Sequence, residues 1–127
     1  MTLRCVIVDD SPAVLRAASE LLEGQGIAVV GVAETGEEAI LLMEELKPDL
    51  MLVDIALGPE SGLDLARRLA RTRDSGHPPI ILISTHDEAD FAELIAASPA
   101  IGFLRKSNLS ATAIRRLLDS AGAEEPY

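Results

Sequence analysis

The chain has 127 residues, 48% of them apolar, with 21 acids against 11 bases and a formal charge of −10. That length makes one domain able to bury roughly two-thirds of its unfolded surface, so neither a disulfide nor a structural metal is needed to hold a core. The acidic balance disfavours direct contact with nucleic-acid phosphates or acidic membranes, no apolar run approaches the ~20 residues of a bilayer span, and no leader pattern opens the chain; a soluble, cytoplasmic protein is expected.

The first apolar run, Leu3-Arg4-Cys5-Val6-Ile7-Val8, ends abruptly in Asp9-Asp10. Cys5 inside it reads as a small core hydrophobe suited to a reducing compartment, with a reactive thiol as the other reading. Ser11-Pro12 is a cap residue followed by proline at the first helical position, which opens a helix over about 12–24 with Leu15, Ala18 and Leu22 on one face. Gly24 and Gly26 end it.

The β-branched stretch 27–33 predicts a second strand. Thr35-Gly36-Glu37-Glu38 has the spacing of a capping box and opens a helix that turns Ala39, Leu42, Met43 and Leu46 inward until Pro48 stops it. Asp49 to Asp54 follows at once, four apolar residues between two acids, and reads as a strand buried on both faces that delivers Asp54 to the sheet edge. The segment 55–62 is too rich in Gly and Pro for regular structure, so a loop is expected.

A helix over 63–71 turns Leu65, Ala66 and Leu69 inward, and a polar loop over 72–77 leads into a fourth strand, 80–83, that ends in Ser84-Thr85. A weaker helix is predicted over 87–97, a fifth strand over 100–105 ending at Lys106, and a last helix over 110–120 with Ile114, Leu117 and Leu118 inward. The remainder, 122–127, has no periodic apolar signal and is expected to be a flexible tail. His77 lies in a polar loop and suggests no role.

Five strand-helix repeats with near-continuous apolar strands predict an α/β fold, a doubly wound five-stranded parallel sheet with helices on both faces. Right-handed crossovers favour strand order 2-1-3-4-5, which sets the first and third strands side by side at the switch point. Asp9, Asp10 and Asp54 then meet, and three such carboxylates repel one another unless a cation or protons intervene. Taken singly, each strand-end aspartate is equally a turn former or helix cap.

The ordered set of Asp9-Asp10 after the first strand, Asp54 after the third, Ser84 after the fourth, Phe103 and then Lys106, with Gly62 eight residues past Asp54, resembles the receiver domain of bacterial two-component response regulators over residues 3–120. The resemblance implies a flavodoxin-like receiver at 1–121 that is no enzyme beyond its own phosphorylation and dephosphorylation. Asp54 would take a phosphoryl group from a sensor histidine kinase or phosphotransfer protein. Asp10 and Asp54 would hold Mg2+ directly, Asp9 through water, and the carbonyl of Ala56 would complete the protein ligands.

By the same resemblance Lys106 pairs with Asp54 and later with the phosphoryl group, and Ser84 donates a hydroxyl hydrogen bond to it. Phe103 turns inward as the loop after Ser84 moves, which remodels a face of the fourth helix, fifth strand and fifth helix that includes Phe91, Arg105 and Arg115 and where a partner or second copy binds. Plainer readings stand beside each: a surface lysine, a turn serine, a core phenylalanine. His86 lies near the mouth and bears on phosphoryl lifetime or is incidental. Pro12, Ala13, Val14 and Ala17 would form the kinase-facing surface.

Three departures stand out. Ser107 replaces a proline often preceded by a cis bond, so trans is expected; Gly58-Pro59 replaces a proline at 58, so that loop is expected to be shifted or more mobile; and Thr85 crowds the approach to Asp54. A small phosphatase with an aspartate nucleophile is the rival reading, although its pattern is Asp-x-Asp after the first strand. A dinucleotide-binding module lacks its glycine-rich turn here. Whether the chain acts alone or is the receiver of a longer transcriptional regulator is open at this point.

Overall fold

The computed structural model describes residues 2–72, 77–86 and 88–123. Five strands, β1 (Arg4–Val8), β2 (Ala28–Ala33), β3 (Leu50–Asp54), β4 (Ile80–Ser84) and β5 (Gly102–Arg105), form one parallel sheet in the order β2-β1-β3-β4-β5. Helices α1 (Pro12–Gly24), α2 (Gly36–Leu46), α3 (Gly62–Thr72), α4 (Ala92–Ala96) and α5 (Ala111–Ala123) cover it. The fold class and strand order expected from the sequence are those observed.

Successive strand residues point to opposite faces, and both faces are dry. Val6, Val8, Met51, Val53, Ile80 and Leu82 pack with Ala39, Met43, Leu65, Ala66 and Leu69 from α2 and α3. Cys5, Ile7, Leu50, Leu52, Ile81 and Ile83 pack with Leu15, Ala18 and Leu22 of α1 and Ile114 of α5. Every residue of β3 and β4 is buried, which explains why those runs read as unbroken apolar segments.

Local signals set the helix starts. Ser11 Oγ accepts from Val14 N at 3.3 Å with Pro12 at the first position, and Thr35 Oγ1 accepts from Glu38 N at 3.2 Å. Glu38 reaches back to Glu34 N at 3.5 Å rather than to Thr35 N, so the box closes one residue early. Lys47, at φ 47°, ends α2 in the left-handed conformation.

Two expectations change. The segment after Asp54 is not a loop: Ala56–Leu57 and Glu60–Ser61 pair as an antiparallel hairpin closed by Gly58 and Pro59. Gly58 has φ +60°, which suits the first residue of a tight primed turn and which proline cannot adopt. The helix predicted over 87–97 is broken into a 3-10 turn, Glu88–Asp90, and the short α4, because Phe91 leaves helical geometry and packs on the core; residue 87 lies outside the described residues.

Helix α5 runs to Ala123, so the boundary expected at 121 falls inside its last turn, and 124–127 lie outside the described residues, as do 73–76 of the polar loop. No described peptide bond is cis, so the Lys106–Ser107 bond is trans as expected.

Candidate functional site

Val8 pairs with Val53, so the ends of β1 and β3 lie level and deliver Asp9, Asp10 and Asp54 to one edge of the sheet. One carboxylate oxygen of each lies within 4.8 Å of the others. Asp9 is fully buried, Asp54 is 5% exposed, and Asp10 faces solvent. The end of β5 brings Lys106 across: its Nζ donates to Asp54 Oδ2 at 3.0 Å and lies 2.7 Å from Asp9 Oδ2.

Backbone donors fix the acids. Asp9 Oδ1 accepts from Ser11 N at 2.9 Å and Asp54 Oδ1 from Ala56 N at 3.1 Å. Asp9 Oδ2, although paired with Lys106, receives no aligned hydrogen bond and is a buried acceptor with spare capacity. Burial pushes the Asp54 carboxyl above its ordinary range, and the Asp9 charge adds to this; the bonds from Lys106 and Ala56 N oppose but do not cancel it. Burial alone would lower Lys106, yet its pairing with Asp9 and Asp54 outweighs this and raises its ammonium pKa.

The donor set is all oxygen and opens to water through Asp10, which fits a hard divalent cation such as Mg2+. Ala56 follows at the site margin with its amide tied to Asp54 Oδ1.

Gly62 accounts for a spacing the sequence only marked. Its amide donates to Ile55 O at 2.7 Å, and a Cβ there would fall on the carbonyl of Asp54. Only glycine lets α3 start so close beneath the site.

Ser84 ends β4, buried at 3% exposure, and its Oγ accepts from His86 N at 3.0 Å. Phe103 is inward, 8% exposed in the same core as Leu82 and Ile95, the placement that its plainer core reading has. The His86 ring is exposed and meets Phe91 edge to face at 6.1 Å, and its Nδ1 lies 3.4 Å from Thr85 Oγ1. His77 Nδ1 lies 2.8 Å from Pro78 O and takes no part in the site. Cys5 is buried, with its thiol pushed up to about 12 by burial, which leaves a core role and no thiolate chemistry.

Beside Lys106 a groove of about 320 Å3 is lined by Val14, Ala17, Ala18, Leu21, Thr85 and Leu109 among others. Val14 and Ala17 were legible in the sequence as outward apolar residues; Thr85 and Leu109 were not, because only the fold brings them to α1.

These features place an acid cluster with one lysine at the switch point of a doubly wound sheet. The family model described as the response regulator receiver domain matches residues 5–119. The response regulator GacA of Pseudomonas protegens is 34% identical over 107 residues, 82% of this chain and 48% of that protein. Among solved structures, a LuxR-family two-component response regulator from an Aurantimonas species superposes with a TM-score of 0.81 at 27% identity, over 97% of this chain and 87% of that one. The receiver domain of a modulated diguanylate cyclase from Desulfovibrio desulfuricans gives 0.76 at 30% identity, over 95% and 94%.

The chain belongs to the response regulator receiver family, a signalling domain of two-component systems. Phosphatase and dinucleotide-binding readings fall with that finding. The chain spans about half the length of the curated relatives it matches. Among the described residues no helix is long and apolar enough to cross a membrane.

Proposed function

We propose that Asp54 is the phosphoacceptor of this receiver and that a histidine kinase or phosphotransfer protein is the donor. The observation that carries this reading is the lysine bridge: Lys106 Nζ sits between Asp54 Oδ2 and Asp9 Oδ2 at the end of two central strands. Asp54 attacks phosphorus, the P–N bond to the donor histidine breaks, and its electron pair leaves with the imidazole nitrogen. Phosphoryl transfer needs positioning and charge neutralisation more than covalent help. Lys106 supplies a fixed positive charge beside the attacking carboxylate, and Ala56 N and Ser11 N hold Asp54 and Asp9 in place.

Asp10, Asp54 and the Ala56 carbonyl would hold Mg2+, with Asp9 reached through water. The ion, when bound, neutralises charge on the transferring phosphoryl oxygens. Ser84 donates its hydroxyl to the phosphoryl group while still accepting from His86 N. Chemistry of this kind modifies the domain itself and acts on no other substrate.

The groove of Val14, Ala17, Leu21 and Leu109 is the docking surface for the donor's helix, being apolar and adjacent to Lys106. The face of α4, β5 and α5, with Phe91, Arg105 and Arg115, is the output surface and the site of any homodimer. Cytoplasmic residence and an output through protein contact or a further domain follow from this role.

Incubation with acetyl phosphate and Mg2+ tests the assignment. One acid-stable, base-labile acyl phosphate per chain is expected, absent from Asp54→Asn. Labelling that survives in the variant, or continuous release of phosphate without a labelled protein, would overturn it.

A further inference from the structure

The hairpin after Asp54 forms one wall of the acid site. Its first strand carries the Ala56 amide that holds Asp54 Oδ1, and its turn stands against Asp10: a Cβ at Gly58 would lie 3.2 Å from Asp10 Oδ2. Leu57 anchors the inner side in the core. On the outer side the hairpin faces the loop before α2 across a cavity of about 470 Å3, with Glu34, Thr35 and Glu37 opposite Gly58 and Pro59.

One side chain bridges that gap. Glu60 Oε2 accepts from Gly36 N, the first residue of α2, at 2.9 Å, where the helix dipole favours a negative charge. Arg68 of α3 lies 4.0 Å from the other oxygen. Gly36 and Glu60 are matched, because a Cβ at Gly36 would lie 2.7 Å from Glu60 Oε1 and drive the carboxylate away.

We propose that Glu60 is a positioning residue for the acid site: by tying the hairpin to the start of α2, it holds the Gly58 turn against Asp10 and the Ala56 amide on Asp54, and so sets the affinity for the divalent cation. This rests on the reading of Asp10 and Asp54 as cation ligands. The bond to Gly36, rather than the charge of Glu60, is the working part, since Asp10, Glu34 and Glu37 already line the same cavity and Glu60 is the one that spans it to Gly36 N.

The test is an Mg2+ titration followed by amide shifts at Asp10, Asp54 and Ala56, with thermal midpoints measured without metal. Glu60→Ala is expected to weaken binding on the order of tenfold, the scale of outer-shell losses. Glu60→Gln keeps an acceptor for Gly36 N and should bind within about twofold of the parent, on the same scale. Gly36→Ala should mimic Glu60→Ala in the parent and add nothing in the Glu60→Ala background, which is the signature of a shared contact. Parental affinity in Glu60→Ala, or equal damage from Glu60→Gln, would overturn the proposal. A parent that binds no Mg2+ would overturn the underlying ligand reading instead.

Discussion

The acid end of the sheet and the α4 face are built in opposite ways. At the acid end, Asp9 and Asp54 leave central strands bonded on both sides, and each carboxylate is pinned by a backbone amide. At the α4 face, β5 is the sheet edge, α4 has five residues, its N-cap Phe91 makes no side-chain cap bond, and Leu94 is 50% exposed. Under the proposed function, chemistry that needs fixed geometry would sit on the most densely bonded elements, and the output surface on elements with few bonds to lose.

Two substitutions at the stiff end test that contrast most severely. Asp54→Asn should abolish acyl phosphate formation completely while the amide spectrum stays folded. Gly62→Ala should cost about 3 kcal/mol, the scale of forced overpacking, because its Cβ would meet the Asp54 carbonyl with no flexible side chain able to yield. A urea melt checks it; an unchanged midpoint would mean that the close approach is not required.

Smaller effects come from the groove and from charge. Val14→Lys places an ammonium in the apolar groove and should slow transfer from the kinase on the order of tenfold, typical of an interface contact, yet leave labelling by acetyl phosphate alone. Equal loss with both donors would point to misfolding. For charge, the folded Asp54 carboxyl titrates above its unfolded value, so the penalty on the native state grows as pH rises past the unfolded pKa and is fully present above the folded one. Asp54→Asn should therefore melt higher than the parent at pH 7 without Mg2+. The difference should shrink as pH falls towards the unfolded carboxyl range near 4. A gap that widens on acidification would show that Lys106 dominates instead.

The same contrast decides what could be read from the sequence. Strands buried on both faces left continuous apolar runs, so order, parallel pairing and the meeting of Asp9, Asp10 and Asp54 were all legible. So was Gly62, although its reason, the carbonyl beneath it, needed coordinates. The hairpin of 56–61 was missed because Gly and Pro advertise a break and two-residue strands carry no period; the Glu60 to Gly36 bond spans 24 positions and leaves no local signal. The predicted fourth helix failed at Phe91, whose packing on the core overrode helical propensity. Phe103 was read both as a switch aromatic and as a core phenylalanine, and its place beside Leu82 in the core is the one the fold shows.

An inward Phe103 narrows what the α4 face can report, and Ser84 is where that can be measured. Its Oγ accepts from His86 N, so the hydroxyl proton is still available to a phosphoryl oxygen, and drawing Ser84 towards Asp54 pulls the backbone at His86 with it. His86 touches Phe91, the residue that interrupts the helix, and Phe91 packs on the core that holds Phe103 and Ile95. The signal would therefore pass as a shift of this loop against an already packed aromatic, not as a rotation of Phe103. A phosphoryl group biases the two states only by its differential contacts, so losing the hydroxyl should weaken the bias without stopping chemistry at Asp54. With beryllofluoride as the phosphoryl mimic, Ser84→Ala should still bind it, yet give amide shift changes at Phe91, Phe103 and Arg105 about half those of the parent, as expected for partial loss of the bias. Full-sized changes at those amides would exclude Ser84 as the link between the acid site and the α4 face.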